Sequence, residues 1–328
     1  MTAPGVLGLG ESLLRLSTPG HERLGHAGRL DVHVGGAEMN ALIAAAGHGL
    51  RATWVTRLAD NPHGRRIATH AAAHGIEAVV DWDPAARAPL YFVEHGAVPR
   101  PSEVLYDRDA TAMRDLTADG FDWAQLLEGH AAALSSGITC ALGDGPAAAV
   151  RALFAEARGR GARTAFDVNH RSRLWSWEDA APVLREMLEG VDILLASRHD
   201  LERILDRDAD EPIALARRAV GAFGHTAVVL RDSAATVTGR VEVTVTAVTA
   251  DAERTSAPYE AEVVDAFGAG DAALGALLAA LLKGEDLETA IDQAAWACAF
   301  QHTTPGDAWQ GRPADLEQRG LTPRRVLR

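Results

Sequence analysis

Short apolar runs alternate along the chain with longer amphipathic stretches. Val6 to Leu9 reads as a strand, and Ala37 to Gly47, which follows Gly35-Gly36, as a helix of small residues. Further strands are predicted at Thr53 to Leu58, Ala78 to Trp82, Ala131 to Ser135, Arg163 to Val168, Ile193 to Ala196 and Ala227 to Leu230. Most are followed by helix-length segments. Such repetition implies an α/β protein whose largely parallel sheet is covered by helices on both faces.

Two regions break the rhythm, Ser12 to Val34 and Pro89 to Ala112. In the second, Leu90 and Phe92, then Val104 and Tyr106, alternate with polar neighbours and no helix intervenes. Both regions read as antiparallel strands outside the main sheet, forming a small lid over one end of it. Val237 to Val248 alternates valine with polar residues across Gly239-Arg240 and suits a hairpin, and Gly270 to Leu282 and Leu287 to Phe300 are the closing helices. The acidic cluster Asp206 to Glu211 reads as a solvated turn. With no internal repeat and no low-complexity linker, the 328 residues are read as one large domain with a small appendage.

Composition narrows the function classes. Hydrophobic residues make up 47% of the chain and charged residues 23%, which excludes a disordered or collagen-like chain. A formal charge of −13 repels duplex DNA and anionic bilayers, although a few convergent arginines can still build a pocket for a small anion. Cys140 and Cys298 have no metal-ligand spacing and are expected to be free thiols in a reducing compartment, Cys140 as a packing residue. The N-terminus lacks a signal-peptide pattern, and no apolar run reaches the ~18 residues of a membrane span, so a cytoplasmic protein is expected. Among the thirteen histidines, His70 and His74 are four apart but have no acidic residue between them, which argues against a zinc site.

The chemistry concentrates at Val263-Val264-Asp265-Ala266-Phe267-Gly268-Ala269-Gly270-Asp271-Ala272, which runs directly into an apolar helix. Gly268 and Gly270 let backbone amides approach a phosphate, and the helix N-terminus favours negative charge. An aspartate inside such a cradle suits another task, accepting the proton of an attacking hydroxyl. On spacing alone, glycine and aspartate before a helix equally describe an ordinary N-cap. A Walker phosphate loop is absent, the only lysine being Lys283, and Gly8-Leu9-Gly10-Glu11 lacks the third glycine of a dinucleotide fingerprint.

Asp265-Ala266-Phe267-Gly268-Ala269-Gly270-Asp271 closely resembles the C-terminal signature of the ribokinase-like, or PfkB, carbohydrate kinases. Gly35-Gly36-Ala37-Glu38-Met39-Asn40 resembles the family's sugar-binding segment, and Gly8-x-Gly10-Glu11 the end of its first strand. Tyr106-Asp107-Arg108, Asp167-x-Asn169-x-Arg171-x-x-Leu174-Trp175 and His302-Thr303-Thr304-Pro305-Gly306-Asp307 resemble, in order, segments of the 2-keto-3-deoxygluconate kinases. The resemblance implies a ribokinase-like three-layer α/β/α sandwich with a β-sheet lid. It implies transfer of the γ-phosphoryl group of ATP, with Mg²⁺ and an optional monovalent cation, to the primary hydroxyl of 2-keto-3-deoxygluconate, giving the 6-phosphate.

Asp271 is then the catalytic base, with Gly268, Ala269, Gly270 and Arg171 stabilising developing charge. Gly36, Asn40, Tyr91, Tyr106 and Arg108 join Arg171 and Asp271 around the sugar, Arg108 gripping its carboxylate. Asn169, Arg171, Arg231 and the cradle meet the nucleotide. Two segments depart from the family pattern. Ser197-Arg198-His199-Asp200 stands where many relatives have Asn-x-x-Glu, which leaves the metal ligands unassigned, and Leu230 to Ala235 lacks a glycine-bearing turn. A kinase for another ketose such as fructose, and a catalytically silent sugar-binding regulator, are the alternatives. Exposed lid strands offer edges for a homodimer through the lid.

Overall fold

Fourteen strands form among the described residues because apolar runs such as Ile193-Leu194-Leu195-Ala196 have no polar face to give to water and must be covered on both sides. The computed structural model describes residues 3–206, 211–235 and 239–317. In chain order the strands are β1 (Gly5–Leu9), β2 (Leu13–Ser17), β3 (Asp31–Gly35), β4 (Arg51–Ala59), β5 (Glu77–Asp83), β6 (Leu90–Glu94) and β7 (Glu103–Asp107). They continue with β8 (His130–Ser136), β9 (Arg163–Asp167), β10 (Ile193–Ala196), β11 (Ala227–Ala235), β12 (Arg240–Val248), β13 (Glu253–Thr255) and β14 (Tyr259–Glu262).

The main sheet runs β13-β12-β11-β10-β9-β8-β1-β4-β5, with β14 also paired to β12. It is parallel from β11 to β5 and antiparallel at the β11–β14 end. Helices Ala37–Gly47, Ala269–Leu282 and Leu287–His302 bury their alanine and leucine side chains in one core cluster. Helices Asp144–Gly159, Trp177–Leu188, Arg198–Leu205 and Pro212–Phe223 contribute to a second. The predicted sandwich is therefore observed. No helix among the described residues is long and apolar enough to cross a membrane.

Two local expectations change. The hairpin near Gly239 pairs β11 with β12, Arg231 facing Val245, so its first strand is Ala227–Ala235 and Val237 lies outside the described residues. That continuous strand is why the segment after Leu230 carries no turn glycine. Of the acidic cluster, 207–210 also lie outside the described residues. The small sheet has the order β3-β2-β6-β7, but β2 and β6 are parallel, Arg15 opposite Tyr91, where antiparallel strands were expected. After β3 the chain passes through the body, and it re-enters the lid running the same way as β2, a return that only a long crossover permits.

Helix packing brings the ends of the body together. A Cβ on Gly275 would stand 2.3 Å from the carbonyl oxygen of Ala41, so glycine there lets helices Ala37–Gly47 and Ala269–Leu282 touch backbone to backbone. At the start of the first helix, Glu38 is fully enclosed. Its Oε1 accepts from Ser136 Oγ and Thr139 Oγ1, both at 2.6 Å, while Oε2 has no hydrogen-bond partner among the described residues. Burial pushes its pKa up to about 7, partly opposed by these hydroxyls.

A raised carboxyl pKa means that the native state keeps a proton the unfolded chain has lost. Its contribution to stability is complete below the ordinary glutamate pKa of about 4.3 and is lost as pH rises through about 7. Glu38→Gln should remove this slope. Urea denaturation across that interval should show a fall for the variant smaller than the native one by about 3 kcal/mol, whereas equal slopes would mean that Glu38 is ionised in the native protein.

Candidate active site

One cleft of about 640 Å³ lies between the lid and the carboxyl ends of the parallel strands, where ligands of open α/β sheets bind. It gathers every residue that the sequence assigned to catalysis, sugar or nucleotide: Gly36, Asn40, Tyr91, Tyr106, Arg108, Asn169, Arg171, Arg231, Gly268, Ala269, Gly270 and Asp271.

At its floor helix Ala269–Leu282 begins. Gly268 caps it with φ +76°, a left-handed backbone, and a Cβ there would fall 1.9 Å from the carbonyl oxygen of Asp307. Glycine is thus demanded by both torsion and space. No side chain caps this terminus, so the amides of its first turn point into the cleft with the positive end of the helix dipole. Arg231 lies against the same turn, its Nε 3.3 Å from where a Cβ of Gly270 would be.

Asp271, in the first turn, is 9% exposed and accepts a 2.8 Å hydrogen bond from Asn40 Nδ2. Burial raises its pKa to about 6, against the pull of Asn40, Arg171 and Arg231. The carboxylate is therefore held by Asn40 rather than spent on capping its own helix. Asn40 Oδ1 is buried and has no donor among the described residues.

The turn after β9 carries Asn169 in a left-handed conformation, φ +39°, its amide donating to Asp167 at 3.1 Å, and exposes Arg171. Burial, with Asp271 and Asp200 nearby, raises Asp167 to about 8. Ser197 and Asp200 form a capping box for helix Arg198–Leu205, and Asp200 still lines the cleft, its pKa raised by burial. The departure from Asn-x-x-Glu thus preserves a carboxyl at this wall. His170, stacked on Trp177 at 3.9 Å, and His199 border the same end.

The lid supplies the opposite wall. Tyr91 and Tyr106 stack with ring centres 5.9 Å apart, and the Tyr91 hydroxyl donates to Asp307. Arg108 lies 5.4 Å over the Tyr106 ring. Its guanidinium, expected to face a ligand outright, is shared: Nε and Nη2 donate to Glu11, whose other oxygen accepts from Thr111 at 2.9 Å. Nη1 makes no hydrogen bond among the described residues.

Sequence reasoning assigned no role to Glu11, Asp167, Asp200 or Asp307, although each lines the cleft. All four stood within quoted segments. What marks them is burial of a carboxyl against the cleft, which spacing does not report. No cluster of three or more His, Cys, Asp or Glu among the described residues could hold a metal by itself.

The chain is similar to known proteins along most of its length. Residues 8–310 match the pfkB family of carbohydrate kinases. The chain is 36% identical over 318 residues to a 2-dehydro-3-deoxygalactonokinase of Haloferax volcanii, covering 97% of this chain and 96% of that one. It is 33% identical to a 2-dehydro-3-deoxygluconokinase of Thermoproteus tenax, covering 92% and 89%. The crystal structure of the Thermotoga maritima 2-dehydro-3-deoxygluconokinase superposes with a TM-score of 0.91 at 32% identity, covering 96% and 98%. With the cradle, the buried aspartate and the lid in place over nearly the whole length, the chain belongs to the PfkB family of carbohydrate kinases, ATP-dependent sugar kinases of ribokinase-like fold.

Proposed function

We propose that the protein transfers the γ-phosphoryl group of ATP to the primary hydroxyl of a 2-keto-3-deoxyhexonate, with 2-keto-3-deoxygluconate as the first substrate to test and the 6-phosphate as product. The observation that carries this reading is the pairing, in one cleft, of a lid wall of Tyr91, Tyr106 and Arg108 with the unfilled helix terminus beside Asp271. A sugar acid has a carboxylate for the free arm of Arg108 and hydroxyls for Asn40 Oδ1 and Asp307. The relative from Haloferax supports the C4 epimer, 2-keto-3-deoxygalactonate, as a second substrate, since the two acids share every one of these groups.

In this reading Asp271 accepts the proton of the attacking hydroxyl. The amides at Gly268, Ala269 and Gly270, with Arg171 and Arg231, bind the phosphate oxygens and meet the charge that develops on them. Asp167 and Asp200 fit a magnesium ion, because Asp167 is a buried carboxyl whose one side-chain hydrogen-bond donor among the described residues is the Asn169 amide. When bound, Mg²⁺ would supply positive charge to the nucleotide phosphates. The lid side chains orient the sugar and keep water from competing for the phosphoryl group.

Asp271→Asn should keep sugar and nucleotide binding but reduce kcat by about a hundredfold or more, because the amide can still meet Asn40 but takes no proton. Near-native turnover in a coupled ADP-release assay would remove Asp271 from the chemistry. In the native enzyme the base must be ionised, so kcat/KM should fall as pH is lowered through about 6.

The carboxylate contact has its own test. Arg108→Lys keeps a cation against Glu11 but withdraws the guanidinium fork, and should raise the KM for 2-keto-3-deoxygluconate about tenfold while leaving that for ATP unchanged. Fructose, which has no carboxylate, should be a poor substrate whose KM the variant does not change. An equal effect on both sugars would argue for a neutral ketose.

A further inference from the structure

Arg15 lies behind the cleft wall rather than in it. Its side chain is 1% exposed, yet it is central to a charged cluster joining four segments. From β2, Nη1 donates to Asp307 Oδ1 at 2.8 Å, Nη2 to Asp265 Oδ2 at 2.6 Å, and Nε to Ser17 Oγ at 2.7 Å. Nη2 also stands 3.2 Å from Nε2 of His95, next to β6. Because a guanidinium only donates, that nitrogen is the acceptor, and burial, lowering the pKa of His95, keeps the ring neutral.

Each carboxylate leads to a different ligand end of the cleft. Asp307 also receives the Tyr91 hydroxyl and so fixes the lid wall. Asp265 opens the loop into the cradle: its Oδ1 accepts from the Phe267 amide at 3.2 Å and its Oδ2 from the Gly306 amide at 3.0 Å. The Phe267 ring, one residue before the cap Gly268, lies 4.3 Å below the guanidinium and tilts against Tyr91. Two buried carboxylates with one cation between them have few alternative arrangements, since either left unpaired would be a buried charge. A shift of β2 must therefore move Asp265 and Asp307 together.

We infer that Arg15 is a positioning residue that couples the lid to the phosphate cradle, so that nucleotide at the helix terminus orders the lid and sugar under the lid strengthens nucleotide binding. The second half rests on the reading above that the sugar lies under the lid. The planar fork matters because it reaches two carboxylates in fixed directions, which an ammonium on a flexible stem does not. Coupling of this kind is reciprocal, each ligand changing the affinity of the other by the same factor.

The test is Arg15→Lys, which keeps the charge and loses the fork. In the native protein, saturating ADP with magnesium should slow hydrogen exchange at the amides of β2 and β6; in the variant that slowing should disappear while the Kd for ADP without sugar stays within about twofold. The KM for 2-keto-3-deoxygluconate should rise about fivefold or more, and the sugar should cease to tighten ADP binding. Unchanged protection of the lid by ADP, or equal weakening of sugar and ADP, would overturn the coupling. If the lysine variant does not fold, the isosteric Asp265→Asn cuts the same link from the body side and must show the same loss of protection. A native enzyme whose lid responds to ADP but which does not phosphorylate the sugar acid would instead refute the substrate reading and leave the coupling standing.

Discussion

The amides that open helix Ala269–Leu282 have no side chain to satisfy them, and the architecture of the cleft follows from leaving them so. An uncapped helix start is costly when buried and becomes an asset when an anion arrives. Gly268 makes the geometry possible by accepting a left-handed backbone beneath the carbonyl of Asp307, a contact that also ties the cradle to the segment carrying the lid's acceptor. Asp271 would ordinarily relieve such a terminus. Asn40, brought alongside by glycine-mediated contact of two small-residue helices, holds it instead.

Around that terminus the charges are arranged for ligands rather than for the free protein. Asp167, Asp200, Asp271 and Asp307 are all pushed above the usual carboxylate range by burial, and they stand among Arg171, Arg231, Arg15 and Arg108. Such crowding is the expected signature of a site that must bind anions yet keep a base ready for a proton. The guanidiniums outweigh the net charge of −13 because they act at contact distance, whereas the surface acids are screened.

The lid and the body share this electrostatic economy. Arg108 is divided between Glu11, which follows β1, and the open cleft, and Arg15 between the cradle loop and the carboxylate that receives Tyr91. Arg15 stands in the small sheet and Arg108 directly follows its last strand, and both end on carboxylates outside that sheet. The same few bonds therefore shape the lid-side wall of the cleft and join the lid to the body.

Much of this was written locally. The strand-helix alternation located the main sheet, because a chain with period two or period 3.6 has only one way to hide its apolar face. The placement of the cradle glycines and of Asp271 was legible for a local reason: it depends on backbone torsion and on where their own helix starts. The parallel pairing of β2 with β6 was not legible, since alternation specifies a strand but not the direction of its neighbour. Neither was the role of Arg15, whose two carboxylates lie 250 and 292 residues away, nor the capture of Arg108 by Glu11 from 97 residues away. Local patterning specifies which elements form and where an anion can meet a helix. Which charges meet and which lose their water follows from packing, because desolvation and ion pairing belong to the folded neighbourhood and leave no trace in spacing along the chain.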